Sequence, residues 1–188
     1  MQGFFVLLLI VIGLSYAVYR YVSQHQEVLL IPAAALVIGC GIGIYRLTGR
    51  RRRRRKKILQ TRTIQELIDQ YNPYEFEYYI ADLFSLYGFQ TLVTRASNDG
   101  GIDIEMRKDG ETFAVEVKQY SRDNRVSRER IQKLDSAARH AEADHAIFVT
   151  TSSFTQPAIA YADESGIDLI DGKALFEMIQ RAKAAISK

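Results

Sequence analysis

Asp103, Glu116 and Lys118 are spaced to act as one chemical unit. Asp109-Gly110 reads as a two-residue hairpin turn between alternating stretches. In that register Asp103 falls directly opposite Glu116. Alternation puts Ile102, Ile104, Met106, Phe113, Val115 and Val117 on an apolar face, and Asp103, Ala114, Glu116 and Lys118 on the other. Two carboxylates then stand about 5 Å apart at Cβ, and like charges in opposed positions destabilise a sheet. A hard divalent cation offsets that repulsion. Mg²⁺ takes one or two carboxylates together with waters and substrate phosphate, and the carbonyl of Val117 is a further oxygen donor. Lys118 is placed to hold a water or to stabilise charge developing on phosphorus. Gly100-Gly101 precede Asp103 and let a phosphate backbone come close. Taken alone, Glu116 and Lys118 also read as an exposed strand ion pair of little energetic value. The register-matched Asp103 and the uninterrupted apolar face tell against that.

The flanking chain supplies the elements that must hold this hairpin. Ile64, Leu67, Ile68 and Tyr71 have helical spacing. Asn72-Pro73 starts a second helix, with Asn72 as cap and Glu75 in the first turn. Its stripe is Phe76, Ile80, Leu83, Phe84 and Tyr87, ended by Gly88. Residues 89–94, 102–107 and 112–118 read as strands, with a loop over 96–101. A polar, basic stretch over 121–130 runs into a helix marked by Ile131, Leu134, Ala138 and Ala141. Residues 145–150 form a buried-type strand, 156–164 a helix, 167–170 a strand and 173–184 a closing helix. This order implies an α/β fold, a mixed sheet flanked by helices.

The N-terminal part is different in kind. Residues 4–22 and 28–47 are apolar runs, each long enough to span most or all of a hydrocarbon core of about 30 Å. The short connector makes them antiparallel neighbours, a transmembrane hairpin over 1–49. Eight consecutive basic residues, Arg50 to Lys57, open a linker over 50–60. By the positive-inside rule they stay cytoplasmic, where they meet anionic lipid headgroups and hold both termini and the following domain, 61–188, inside an inner membrane. The same run also reads as a sequence-independent tether for DNA. A signal peptide ending near Ala17 is the competing reading, and Met1-Gln2-Gly3 lacks the basic residues it needs.

The net charge of +3 conceals a division. From Ile58 onward there are 15 Lys+Arg against 21 Asp+Glu, so the globular part is acidic. Nucleic-acid contact then requires a local basic face. Arg122, Arg125, Arg128, Arg130 and Lys133 supply the best candidate, with a solvated helix start as the alternative. The lone Cys40 forms no internal disulfide. The histidines are too scattered for a zinc site, and none is placed to activate Thr150, Thr151 or Ser152 as a nucleophile.

Four blocks carry a resemblance. They are Asn98-Asp99-Gly100-Gly101-Ile102-Asp103, Phe113-Ala114-Val115-Glu116-Val117-Lys118-Gln119-Tyr120, Phe148-Val149-Thr150-Thr151-Ser152-Ser153-Phe154-Thr155, and Gly166-Ile167-Asp168-Leu169-Ile170-Asp171-Gly172. Together they resemble the Mrr-type restriction endonucleases of the PD-(D/E)xK nuclease superfamily, across Ile64 to Ile179. The resemblance implies a restriction-endonuclease-like fold, DNA as partner, and Mg²⁺-dependent phosphodiester hydrolysis in which Mn²⁺ can substitute. By position it makes Asp103 and Glu116 metal ligands, Lys118 the catalytic lysine and Glu77 the acidic residue of the domain's first helix. Gln119 either orients water or phosphate or simply ends the strand. Ile102 stands where the superfamily name expects Pro, and Glu116 where many Mrr-type members carry Gln. A homodimer follows only by analogy with relatives of the fold. The competing functions are a catalytically silent, membrane-anchored DNA-binding module and a resolvase-like or RNA-directed nuclease.

Overall fold

The computed structural model describes residues 58–94 and 101–186, together with 13, 15, 16, 19–21, 23 and 38–40. Most of the two apolar runs, the basic run and residues 95–100, including Asp99 and Gly100, lie outside the described residues. Among the described residues no helix is long and apolar enough to cross a membrane. The chain divides into two units, Met1–Arg52 and Arg53–Lys188.

The second unit begins with two capped helices. Thr63 opens α1 (Ile64–Gln70), its hydroxyl accepting from Glu66 N at 3.2 Å. Asn72 opens α2 (Pro73–Leu86) through a reciprocal capping box with Glu75. Each cap satisfies amides that the first helical turn leaves unpaired. Three antiparallel strands follow: β1 (Gln90–Val93), β2 (Ile104–Lys108) and β3 (Glu111–Lys118). The β2–β3 turn has positive φ at both Asp109 (53°) and Gly110 (92°). That backbone matches the right-handed twist of the strands, and it sets the expected register, with Ile104 opposite Val115.

Two parallel crossovers complete the sheet: α3 (Arg128–His140) leads to β4 (His145–Thr150), and α4 (Gln156–Ser165) to β5 (Asp168–Ile170). The order is β1-β2-β3-β4-β5. Crossovers that advance in one direction lay their helices on one face. Accordingly α3 and α4 share a core with Ala114 and Phe148, while α1, α2 and the closing α5 (Gly172–Ile186) cover Ile104, Met106, Val115 and Val117 on the other. The mixed α/β sheet flanked by helices is the architecture expected.

Two details depart from the expectation. Ile102 lies in the core under α3 and α4, not on the face of Ile104. Regular pairing starts at Ile104, so strand alternation does not extend back to it. Ile58, assigned to the linker, is buried in the domain core, so packing begins a few residues early.

Candidate active site

Asp103 sits one residue before β2, fixed by its backbone. Its amide donates to Val115 O at 2.8 Å, and its carbonyl accepts from Thr94 N at 3.0 Å. The hydroxyl of Thr94, just after β1, donates to Ile102 O at 2.7 Å. The Asp103 carboxylate then does work that a strand carbonyl does elsewhere: Oδ2 accepts from Val117 N at 2.7 Å.

Glu116 is in the middle of the sheet, paired in register with Phe148 of β4. It is 4% exposed, the one carboxylate among the buried polar residues described. Oε1 accepts from Lys118 Nζ at 2.6 Å. Oε2 is buried without a hydrogen-bond partner. Lys118 Nζ also lies 3.3 Å from Asp103 Oδ2 and donates to Val117 O at 3.1 Å. The three oxygens expected to hold a cation therefore converge on the lysine ammonium, which occupies a cation's place.

The electrostatics follow from this crowding. Burial, then the charge of Asp103, raises the Glu116 pKa despite its bonds to Lys118. Burial alone would lower the pKa of Lys118, but Glu116 and Asp103 outweigh it and the ammonium is held charged. Glu77 on α2 feels the same cluster. Its pKa is raised to about 7, first by burial, then by Asp103 and more weakly by Glu116, with Lys118 opposing. The structure thus brings Glu77, Asp103, Glu116, Val117 and Lys118 together.

The donor set fits a hard divalent ion. Asp103, Glu116 and the Val117 carbonyl offer only oxygen, and the unpartnered Oε2 is a buried acceptor that still needs a positive neighbour. Among the described residues no group of three or more His, Cys, Asp or Glu is gathered into a protein cage. Mg²⁺ does not require one, since it keeps several waters.

Other expectations are redistributed. Gln119 does not face the cluster through its amide nitrogen: Nε2 donates to Leu67 O at 2.6 Å and Tyr71 O at 2.8 Å, tying the end of β3 to α1. Gly101 makes room for its protein neighbours. A Cβ there would lie 3.2 Å from Glu116 Oε2 and 3.4 Å from Lys133 Cε. The five basic residues are all exposed. Lys133 reaches over Gly101 toward Glu116, whereas the Arg128 guanidinium stacks 5.1 Å from the Tyr161 ring on α4. Arg122 and Arg125 are on the segment after β3, and Arg130 is in the first turn of α3.

Sequence reasoning missed the stitching that holds the segment after Lys118. Thr150 Oγ1 donates to Lys118 O at 2.9 Å, Thr151 Oγ1 to Tyr120 O at 2.6 Å, and Ser152 Oγ to Arg122 O at 3.0 Å. Three successive hydroxyl residues at a strand end were the available signal. They are scaffold, consistent with their exclusion as nucleophiles.

Residues 68–179 match the Mrr_cat family, described as restriction endonuclease. The chain is 29% identical over 133 residues to the type IV methyl-directed restriction enzyme EcoKMrr of Escherichia coli strain K12. That alignment covers 66% of this chain and 43% of the relative, so the chain spans less than half of the protein it matches. Among solved structures, a protein of unknown function, AF1548, superposes with a TM-score of 0.53 at 19% identity, over 60% of this chain and 67% of that one. The DNA modification-dependent restriction endonuclease AspBHI gives 0.52 at 23% identity, over 70% and 36%. At such identities these structures show the fold, which is restriction-endonuclease-like. The family match covers most of the globular unit, site included, and the chain belongs to the Mrr-type restriction endonuclease family.

Proposed function

We propose that this chain is a Mg²⁺-dependent endonuclease that hydrolyses phosphodiester bonds of double-stranded DNA at the cytoplasmic face of a membrane. The convergence of Asp103 Oδ2, Glu116 Oε1 and Val117 O on one cationic position carries the reading. When bound there, Mg²⁺ (or Mn²⁺ in its place) supplies positive charge for phosphate oxygens and an acidified water. The chain's own residues do the rest. Asp103 and Glu116, with the Val117 carbonyl, define where the ion sits. Lys118, whose ammonium occupies that position in the metal-free site, would turn to a phosphate entering the cleft when the ion takes its place. Glu77, held near neutral titration, supplies a carboxylate that can exchange a proton with water at working pH. Lys133 adds a second cation over Gly101.

A catalytically silent DNA-binding module has less support. Such a protein gains nothing from a buried carboxylate whose Oε2 lacks a partner. Incubation of the full chain in detergent with plasmid, in Mg²⁺ or in EDTA, tests cleavage. Methylated and unmethylated plasmid, branched DNA and RNA are compared in parallel. Cutting by the Lys118→Ala variant at the parent rate would overturn the mechanism.

The membrane tether is part of the same proposal. It rests on the apolar runs over 4–22 and 28–47 and the basic run that follows them. Carbonate extraction of membranes is expected to leave the full chain in the pellet, with the nuclease domain protected from protease outside intact spheroplasts. Release into the carbonate supernatant would remove this part and leave the nuclease reading standing.

A further inference from the structure

A cavity of about 650 Å³ opens beside the catalytic strand, and neither the metal site nor the hairpin uses it. It lies among the N-terminal half of α1, the 151–153 segment and the start of α5. Its lining has two chemistries. Arg62, Arg122 and Lys173 are exposed cations, and among the described residues their side chains form no ion pair. Ile64, Ile68 and Phe176 are half-buried and apolar. Asp171 is the one acidic side chain in the lining, and its Oδ1 is engaged by Ala174 N at 2.8 Å as a helix cap. The cavity is joined to the active site through backbone: Thr151, in its wall, donates its amide to Lys118 O at 3.3 Å.

We infer that this cavity receives one unpaired nucleotide of the DNA being cut, its phosphate among Arg62, Arg122 and Lys173 and its base against Phe176, Ile64 and Ile68. The inference rests on the reading of the chain as a DNA nuclease and narrows its substrate. The volume suits a small-molecule-sized guest, since such pockets measure about 300–1,000 Å³. Cations complement the phosphate. An aromatic and aliphatic floor complements the face of a base, and base–aromatic stacking does not depend on sequence. In a continuous duplex each base face is covered by its neighbours, so only an unpaired nucleotide, at an overhang or drawn out of the stack, presents that face.

The chain has no tryptophan, so Phe176→Trp places a single fluorescent reporter in the cavity. The full chain carrying Phe176→Trp and Lys118→Ala is expected to bind DNA without cutting it. It is titrated in detergent with a fluorescein-labelled duplex bearing a 3′ overhang and with the same duplex made blunt. Anisotropy reports binding and tryptophan emission reports occupancy. The overhang is expected to change the emission and the blunt duplex is not. The additional pair Arg62→Ala and Lys173→Ala, both at exposed positions, is expected to lower the salt slope of overhang binding by about 1.4. Unchanged emission while anisotropy shows the overhang bound, or an equal response to blunt duplex, overturns the cavity's role and leaves the nuclease reading intact. No binding of either DNA at low salt overturns both.

Discussion

The Lys118 ammonium lies 2.6 Å from Oε1 of Glu116, in a pair whose side chains are 25% and 6% exposed. An ion pair so enclosed is not an ornament of the surface. Removing the lysine leaves the buried Glu116 charge uncompensated, at a cost of about 3 kcal/mol, whereas Lys118 is more exposed and keeps Asp103 at 3.3 Å if Glu116 loses its charge. Lys118→Ala is therefore expected to lose plasmid cleavage and also to unfold at lower urea in EDTA. Mg²⁺ should restore part of that stability by replacing the missing positive charge. A variant as stable as the parent in EDTA would mean that the ammonium does not compensate Glu116.

Glu116→Gln makes the opposite prediction for stability. The raised pKa of Glu116 says that burial and Asp103 disfavour its charge by more than Lys118 favours it. A neutral amide of the same shape removes that burden, and its NH₂ occupies the position of the unpartnered Oε2. In EDTA the variant should match or exceed the parent by about 1 kcal/mol, as is common where function is built at the expense of stability. Calorimetric titration should show Mg²⁺ binding abolished. A variant that binds Mg²⁺ as well as the parent would remove Glu116 from the ligand set.

Glu77 gives the domain a pH dependence. Its folded pKa is about 7 against an ordinary value of 4.5. Between those values the folded state holds the proton and the unfolded state does not, so stability falls as pH rises. This is the reverse of an ion-paired carboxylate. Metal-free protein should lose melting temperature from pH 5 to pH 7, and Glu77→Gln should flatten that slope. A slope unchanged by the substitution would assign it to another group.

Much of this was legible because local rules and tertiary packing agree. The register of the β2–β3 hairpin follows from Asp109-Gly110, where both residues take positive φ, but paired strand begins at Ile104, so Asp103 is not held directly opposite Glu116 and meets the cluster through its carboxylate, which accepts from Val117 N and Lys118 Nζ. The cap at Asn72 and the existence of strands β4 and β5 are similarly local in origin. What was not legible depends on contacts distant in sequence. Nothing near Ile102 announces that pairing begins two residues later, so alternation assigned it to the wrong core. The short spacing of the basic residues does not announce that Arg128 turns to Tyr161 and Lys133 toward Gly101. The cavity draws on three separate segments, and no single stretch of sequence carries its signature.

Gln119 shows the same limit at one residue, and it can be tested. Following directly after Lys118, it reads as a candidate for orienting water, but its amide reaches Leu67 and Tyr71, 52 and 48 residues away. Loss of two part-buried hydrogen bonds costs about 1–3 kcal/mol. Gln119→Ala should lower the unfolding midpoint while leaving the cleavage rate per folded molecule close to that of the parent at low temperature. A large fall in rate with unchanged stability would return Gln119 to the chemistry.

Gly101 and Gly110 together separate backbone strain from site geometry. Both have φ values that L residues rarely adopt, +125° and +92°. Alanine at either is expected to destabilise the fold by about 1–3 kcal/mol. At Gly110 a new Cβ meets nothing within 4 Å, so the damage ends with the turn. At Gly101 it would lie 3.2 Å from Glu116 Oε2 and 3.4 Å from Lys133 Cε. The lysine stem can shift, whereas Glu116 is pinned by its place in the sheet and by Lys118. Gly101→Ala should therefore weaken Mg²⁺ binding as well as stability, and Gly110→Ala should lower stability alone. Equal Mg²⁺ affinity in the two variants would show that Gly101 is glycine for its backbone only, and that Glu116 does not need the space.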